Sequence, residues 1–442
     1  MTHLRITDNH IWTKLLNADT KDLENLKRIS NVKISDLSNS NNHNLLVFPR
    51  DFNQHGDKIN ESCILSLSGE EISTGNIMGF IGVKETQLTI SSRFDRNNSD
   101  YFMHYMLQRV FSINLFDMKH SKSTDPIFDF LIYLFPYYLK KALAQGLFKK
   151  YQRFEHNDAN VRGTINVTQH IRQNIPFHGT VAYTTREHSY DNEITQLVRH
   201  TIEYIRIKEA GKTILSSDSE TKNCVSQIVM ATPSYNNQKR VQIINQNLRP
   251  VRHPYFSEYT TLQKICLQIL RHETIKFGEE KDQVYGVLFD GAWLWEEYLH
   301  TILKPLGFKH PENKTNVGGI KMFDNTDDEN YFDKCYRRLY PDFYSESKKM
   351  ILDAKYKHLG GKVGRDDLYQ VVTYMYCMKY QLGGYIYPSD KDNIDICEYK
   401  LAGYEGSIKV LPLYIPQDAT NWFEFASAIK NNEEELQGKL FQ

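Results

Sequence analysis

The chain has 442 residues, 40% of them apolar, with 54 basic and 54 acidic side chains and a formal net charge of zero. That length predicts two or three domains with ordinary cores, and the even balance argues against a free-standing, non-specific DNA binder, which is usually basic. The six cysteines, Cys63, Cys224, Cys266, Cys335, Cys377 and Cys397, are scattered without C-x-x-C spacing. They support neither a zinc site nor a disulfide framework and suit a reducing cytoplasm.

Met1 to Asn17 lacks the basic-then-apolar layout of a signal peptide. Residues 1–120 read as a strand-rich amino-terminal region, with short apolar patterns at Leu45 to Phe48 and Cys63 to Leu67 and two strand candidates in Gly75 to Phe94, broken at Lys84-Glu85-Thr86. Ser38 to Asn44 is a polar loop. Residues 121–280 read as a mainly helical middle region, clearest at Ile127 to Lys150, Glu193 to Glu209 and Glu258 to Phe277. Its longest apolar run, Phe130 to Leu139, holds a proline and is far short of the roughly 20 residues that span a bilayer, so no membrane partner is expected. Val161 to Ile165 reads as a strand or an extended connector.

Residues 281–442 change character. Leu288 to Leu303 is a strong helical segment, and Asn325 to Asn330 an acidic loop. A tight hairpin is expected next, with arms Cys335 to Tyr344 and Lys349 to Lys357 around the turn Ser345-Glu346-Ser347-Lys348. A helix over Asp366 to Lys379, with an acidic start that suits its dipole, is followed by a glycine stop and a strand at Gly383 to Pro388. A strand–helix–strand step implies a crossover and a mixed sheet, which Asp395 to Leu401 and Ser407 to Ile415 would extend. The acidic stretch Asn431 to Glu435 begins a short terminal helix or tail.

The chemistry concentrates in that hairpin. Tyr340-Pro341-Asp342-Phe343 is followed by Asp353-Ala354-Lys355 on the second arm. Side chains alternate along a strand, so Ile351, Asp353 and Lys355 share one face. Asp342, on the neighbouring arm, can meet Asp353 around one hard cation. Carboxylate oxygens suit Mg²⁺, with Mn²⁺ as a substitute, and a lysine beside them can orient a nucleophile or offset charge on a phosphorane. The second arm is otherwise apolar, so a buried carboxylate and ammonium there require pairing or a metal.

Glu296 falls on the apolar stripe of the preceding helix, where it serves either a metal and its water or a buried ion pair; Glu297 lies on another face and reads as surface charge. Gln370 and Tyr374, four apart, share a face of the following helix. Lys348, Lys349, Lys355, Lys357, Lys362 and Arg365 cluster around the hairpin, as phosphate contacts or as solubilising charge. His253, His272 and His310 occupy separate contexts with no H-E-x-x-H spacing and read as surface or satisfied core.

A helix glutamate, P-D, D-x-K and a helix glutamine in that order resemble the PD-(D/E)xK nuclease superfamily. More narrowly, Leu294-Trp295-Glu296-Glu297-Tyr298-Leu299, Tyr340-Pro341-Asp342, Ile351-Leu352-Asp353-Ala354-Lys355-Tyr356-Lys357, Asp367-Leu368-Tyr369-Gln370 and Gly384-Tyr385-Ile386-Tyr387-Pro388 resemble the McrC family, the nuclease subunits of McrBC-type and LlaJI-type restriction systems. Val161-Arg162-Gly163-Thr164-Ile165, Tyr190-Asp191-Asn192-Glu193-Ile194 and Leu88-Thr89-Ile90-Ser91-Ser92-Arg93-Phe94 are similar to the family's middle and amino-terminal parts.

The resemblance implies an α+β multidomain protein ending in a PD-(D/E)xK mixed α/β endonuclease domain over residues 281–442. Asp342 and Asp353 would be metal ligands, Lys355 the catalytic lysine, Glu296 an accessory acidic ligand, and Gln370 the glutamine that steadies the site or contacts backbone phosphate. It implies double-stranded DNA as substrate and an McrB-like AAA+ GTPase oligomer as partner, stimulated by this chain and contacted by projections from residues 1–120. The sequence has no G-x(4)-G-K-[ST] phosphate loop, so motor activity would come from that partner. The alternatives are a stand-alone nuclease of repair or recombination and a catalytically silent activator of the GTPase.

Overall fold

A computed structural model of the chain describes residues 2–15, 18–39, 44–49, 62–95, 100–112, 126–208, 211–277, 284–311, 319–322, 338–359, 363–392, 396–403 and 405–441. It divides into two compact units, one made of Met1–His120 with Glu280–Gln442 and the other of Ser121–Glu279.

The first unit holds a five-stranded sheet formed by β1 (Thr2–Thr7), β3 (Asn44–Phe48), β6 (Ile77–Val83), β7 (Thr86–Ser91) and β11 (Val284–Asp290), in the order β1-β7-β6-β11-β3. β6 and β11 are buried at every position, as their unbroken apolar runs require of interior strands. They cross closely at Gly79, opposite Leu288. A Cβ at Gly79 would stand 2.2 Å from the Val287 carbonyl oxygen, and its φ of +130° suits glycine alone.

Two differences from the expected layout follow. The segment Leu288 to Asp290, read as the start of a helix, completes β11, and the helix α11 runs Gly291–Leu303. The Asp290 carboxylate accepts hydrogen bonds from the Ala292 and Trp293 amides, which caps α11 where the strand stops. Moreover, β11 pairs with β6 and β3, so residues 1–120 and the carboxy-terminal region form one body rather than two.

A second small sheet, β2 (Thr13–Lys14), β4 (Leu65–Ser68) and β5 (Glu71–Thr74), and the helices α1 (Thr20–Lys27) and α2 (Ile34–Asn39) complete the amino-terminal part. Leu26, Ile34, Ile72, Ile81, Leu88 and Leu288 share one core. The helix α3 (Tyr101–Phe111) also belongs here, in a region read from sequence as strands. Its aromatic, mostly buried stretch carries no clean apolar stripe.

The carboxy-terminal part contains a short pair, β12 (Ile320–Lys321) and β13 (Arg338–Leu339), and a mixed five-stranded sheet: β14 (Phe343–Ser345), β15 (Met350–Ala354), β16 (Leu382–Ser389), β17 (Cys397–Lys400) and β18 (Ser407–Tyr414), in the order β14-β15-β16-β18-β17. β15, β16 and β18 are parallel, and the edge strands antiparallel. The helix α12 (Arg365–Met378) is the expected crossover from β15 to β16. Ile351, Val371, Tyr374, Met375, Tyr385 and Ile408 form the core between helix and sheet. The chain closes with α13 (Trp422–Lys439), capped by Asn421, which is longer than the short helix or tail expected from Asn431 onward.

The second unit is a helical bundle of α4 (Pro126–Ala144), α6 (Glu193–Arg206), α7 (Gly211–Ile214), α8 (Ser219–Ala231), α9 (Arg240–Gln246) and α10 (Tyr259–Phe277). It also carries an arm that its reading as mainly helical did not include. β8 (Lys150–Asp158) and β10 (Val181–Ser189) pair over nine residues, β9 (Thr164–Ile165) adds to β10, and α5 (Val167–Gln173) packs beside them. β8 is polar on both faces and mostly exposed, so it shows neither an apolar run nor an alternation. No helix among the described residues is long and apolar enough to cross a membrane.

Candidate active site

A hairpin forms here, but its turn falls one residue later than expected, at Glu346–Lys349: Phe343, Tyr344 and Ser345 pair with Leu352, Ile351 and Met350, and Lys349 takes a left-handed φ of 47°. Arg338 and Leu339, expected in the first arm, pair with β12 instead. The expected beginning of the first arm, Cys335 to Arg337, lies outside the described residues, as do Asn325 to Asn330 and Lys362. Continued by one step, the hairpin register sets Asp342 opposite Asp353, and directly opposed residues share a face. The Ala354 amide donates to Asp342 Oδ2 at 2.7 Å, which fixes the Asp342 carboxylate against the strand that bears Asp353.

Asp353 shares its face with Ile351, which packs under α12, and is 1% exposed. Lys355 Nζ stands 2.7 Å from Asp353 Oδ2, but obliquely: neither Asp353 oxygen has a hydrogen bond of regular geometry. Burial, followed by the charge of Asp342, pushes the Asp353 carboxyl up to about 8, against the pull of Lys355. Burial works to lower the Lys355 ammonium, yet Asp353, Asp342 and Asp367 together hold it above the ordinary lysine value. The site is therefore short of positive charge even with its lysine in place.

Asp367, which the sequence places in an acidic helix start and in the Asp367-Leu368-Tyr369-Gln370 phrase but to which it gives no role of its own, belongs to this cluster. Its Oδ1 is 3.3 Å from Lys355 Nζ and its Oδ2 is 2.6 Å from Lys357 Nζ. Burial raises its carboxyl, but the two lysines outweigh that and hold it below the usual value. The signal was present: Asp367 lies in the first turn of the helix that crosses over β15.

Gln370 lies on α12 and reaches the hairpin through an intermediary. Its Nε2 donates to the Tyr374 hydroxyl at 2.9 Å, and that hydroxyl donates to the Tyr340 carbonyl at 3.4 Å. The helix thus braces the Tyr340-Pro341-Asp342 segment. From the other side, His310 Nδ1 lies 2.6 Å from the Asp342 carbonyl oxygen. A carbonyl can only accept, so Nδ1 carries the proton. His310 stacks on Phe343, and its Nε2 faces Glu297 at 4.0 Å. His310 and Glu297, read as surface or core and as surface charge, are therefore neighbours of the hairpin, brought there because Lys309 bridges to Tyr344 alongside β14.

Glu296 is half-buried on α11. It does not complete a three-donor group with Asp342 and Asp353: among the described residues no group of three or more His, Cys, Asp or Glu is arranged to hold a metal ion. The expected three-carboxylate set is therefore two carboxylates here. Those two still fit a hard divalent cation. Both present oxygen, Asp353 Oδ1 is buried without a hydrogen-bond partner, and a carboxyl raised by burial and a like charge is relieved by an added cation.

The end of this strand is anchored to the first sheet. The Tyr356 hydroxyl lies 2.7 Å from Ser92 Oγ. The Arg93 guanidinium sits 4.7 Å over its ring and pairs with the buried Asp8 carboxylate. Lys355 is thus held between a helix on one side and an immobile tyrosine on the next residue.

Known proteins match this chain in two ways. A family model described as "McrBC 5-methylcytosine restriction system component" matches residues 72–388, a span that includes Glu296, Asp342, Asp353, Lys355 and Gln370. The fold is similar to a chain in a refined half-complex of Thermococcus gammatolerans McrB AAA+ hexamers with bound McrC, at 15% identity and a TM-score of 0.52, covering 99% of this chain and 100% of that one. A chain of the Thermococcus gammatolerans McrBC complex matches at 14% identity and a TM-score of 0.36, covering 69% of this chain and 87% of that one. No curated protein matches. With its family model spanning most of the sequence and a McrC-type fold, the chain belongs to the family of McrBC 5-methylcytosine restriction system components.

Proposed function

We propose that this chain is the DNA-cleaving subunit of a McrBC-type restriction system in defence against foreign DNA, a PD-(D/E)xK endonuclease that hydrolyses phosphodiester bonds of double-stranded DNA with Mg²⁺, or Mn²⁺ in its place. The observation that carries the reading is Asp353: a buried carboxylate, raised by Asp342, beside a lysine, on the strand that faces α12. Such a group is expensive in a protein interior unless a cation completes it.

In this reading Asp342 and Asp353 would hold the cation, which when bound would supply charge stabilisation to the phosphate oxygens and favour ionisation of water. The Asp342 carboxylate is held by the Ala354 amide, and its backbone carbonyl by His310. Lys355 points its ammonium into the same space, where it orients the attacking water and offsets the charge that develops on the phosphate. Gln370, through Tyr374, keeps the Tyr340-Pro341-Asp342 segment in register with β15. Lys357, half exposed, lies at the rim and suits a contact to DNA phosphate. Glu296, half-buried on α11, is the accessory acidic residue of this reading.

The partner in this reading is an McrB-like AAA+ GTPase oligomer, whose GTP hydrolysis the chain stimulates. A surface suited to a protein partner lies on the arm of the second unit. Ile165, Val167, Ile171, Ile175 and Phe177 are each 51–66% exposed, a clustering of apolar side chains that marks interaction sites. This departs from the expectation that projections from residues 1–120 make the contact.

The test is cleavage of linear duplex DNA by the full chain, with and without Mg²⁺, GTP and an McrB-like AAA+ GTPase. Cleavage that needs all of them supports the reading. Cleavage by the chain and Mg²⁺ alone would make it a stand-alone nuclease, and GTPase stimulation without any cleavage would make it a silent activator.

A further inference from the structure

Lys355 stands between two carboxylates with different fates. Asp353 Oδ2 is 2.7 Å from its ammonium and Asp367 Oδ1 is 3.3 Å away. The carboxylates whose charge acts most strongly on Lys355 are Asp353, Asp342 and Asp367. A divalent cation would draw off the first two and would itself repel an ammonium a few ångströms away. Asp367 is outside the pair suited to the cation and is built to stay in place. It sits in the first turn of α12, where the helix dipole favours a carboxylate. The Tyr385 hydroxyl, from β16, donates to its backbone carbonyl at 2.7 Å, and Lys357 occupies its other oxygen.

We propose that Asp367 is a positioning residue that retains the Lys355 ammonium at the reaction centre once Asp342 and Asp353 are committed to a divalent cation. The proposal rests on the nuclease reading above and deepens it. Without Asp367, Lys355 loses the carboxylate that holds it from outside the cation pair, and swings away from the cation. The half-exposed Lys357 shares Asp367 while DNA is absent, and can leave for a phosphate without releasing Lys355.

The variants Asp367→Asn, Asp367→Glu and Lys357→Ala, in the full chain, separate this role from a merely structural one. Single-turnover cleavage of duplex DNA across a Mg²⁺ titration, with the AAA+ partner and GTP, should show Asp367→Asn slowed about 30- to 100-fold with its Mg²⁺ half-saturation moved less than about twofold. Asp367→Glu should recover most of that loss, and Lys357→Ala should weaken DNA binding more than the chemical step. Crystals grown with Ca²⁺ give a reading that needs no turnover: Lys355 Nζ stays within hydrogen-bonding distance of Asp367 in the wild type and is displaced in Asp367→Asn. A wild-type rate in Asp367→Asn, a loss fully restored by high Mg²⁺, or a Lys355 that stays put in the Ca²⁺ crystals of the variant would each overturn the proposal. Because those crystals do not depend on catalysis, a wild type that cut no DNA would sink the nuclease reading separately.

Discussion

At the scale of single residues the site is an exercise in charge held where water is absent. Asp353 carries the consequence most directly. Its carboxyl is raised from 3.8 to about 8 by burial and by Asp342, so the folded state binds a proton that the unfolded chain has released between those values. Stability therefore falls as pH rises through that window. In EDTA, the thermal midpoint should drop between pH 6 and pH 8, and Mg²⁺ should restore it more at pH 8 than at pH 6. Asp353→Asn should flatten the dependence; a variant that kept the full wild-type slope would show that another group is responsible. The same substitution should abolish DNA cleavage and leave GTPase stimulation near normal, because the docking surface proposed above is distinct from the proposed catalytic site. Loss of both activities in a folded variant would argue against that separation. Lys355→Ala should lower turnover more than metal affinity, as a Mg²⁺ titration of cleavage would reveal.

The residues around this centre show how far the sequence could be read. Asp342, Asp353 and Lys355 were legible because a two-residue period and a tight turn bring them to one face, and local geometry then leaves little choice. His310 and Glu297 were not, because what brings them together is the Lys309 bridge to Tyr344, a non-local pairing with no periodic signature. Asp367 was hidden for a different reason. An acid in the first turn of a helix is fully explained by the dipole, so its second task drew no attention.

At the scale of elements, α12 both supports the sheet and braces the hairpin. The Tyr374 hydroxyl is the link, taking a hydrogen bond from Gln370 and giving one to Tyr340. Tyr374→Phe should cost about 1 kcal/mol of stability and lower the cleavage rate without weakening DNA binding; denaturant unfolding and single-turnover kinetics would check the two halves. The helices whose ends carry caps were read well in their cores and less well at their boundaries. At α11 the apolar strand β11 runs directly into the helix, and only the Asp290 cap separates two apolar patterns of different period. In the arm, β9 falls within the segment Val161 to Ile165, read as a strand or extended connector, whereas β8 and β10 escaped, since a ribbon largely exposed has no buried side to impose alternation.

At the scale of the whole molecule, the arm makes the sharpest prediction. Ile171→Asp and Phe177→Asp remove exposed apolar surface, so their thermal midpoints should stay near wild type while GTPase stimulation falls. Unchanged stimulation in both would move the partner contact elsewhere, including back to residues 1–120. The mixed sheet and its crossover helix were expected from the strand–helix–strand order. The union of the two chain ends was not, because nothing local in Val284–Asp290 tells which sheet an apolar strand will enter.

The placement of β11 between β6 and β3 has a cost in time. A growing polypeptide that has already made β3 and β6 must leave both with unsatisfied edges until the Ser121–Glu279 unit has been synthesised. At typical ribosomal speeds that interval is roughly 10 to 40 s. Bare edges of this kind invite wrong pairings, and only the arrival of β11 fills the gap between β6 and β3. For the same reason a fragment ending near residue 120 should aggregate unless a peptide carrying Val284–Asp290 is supplied to fill the gap.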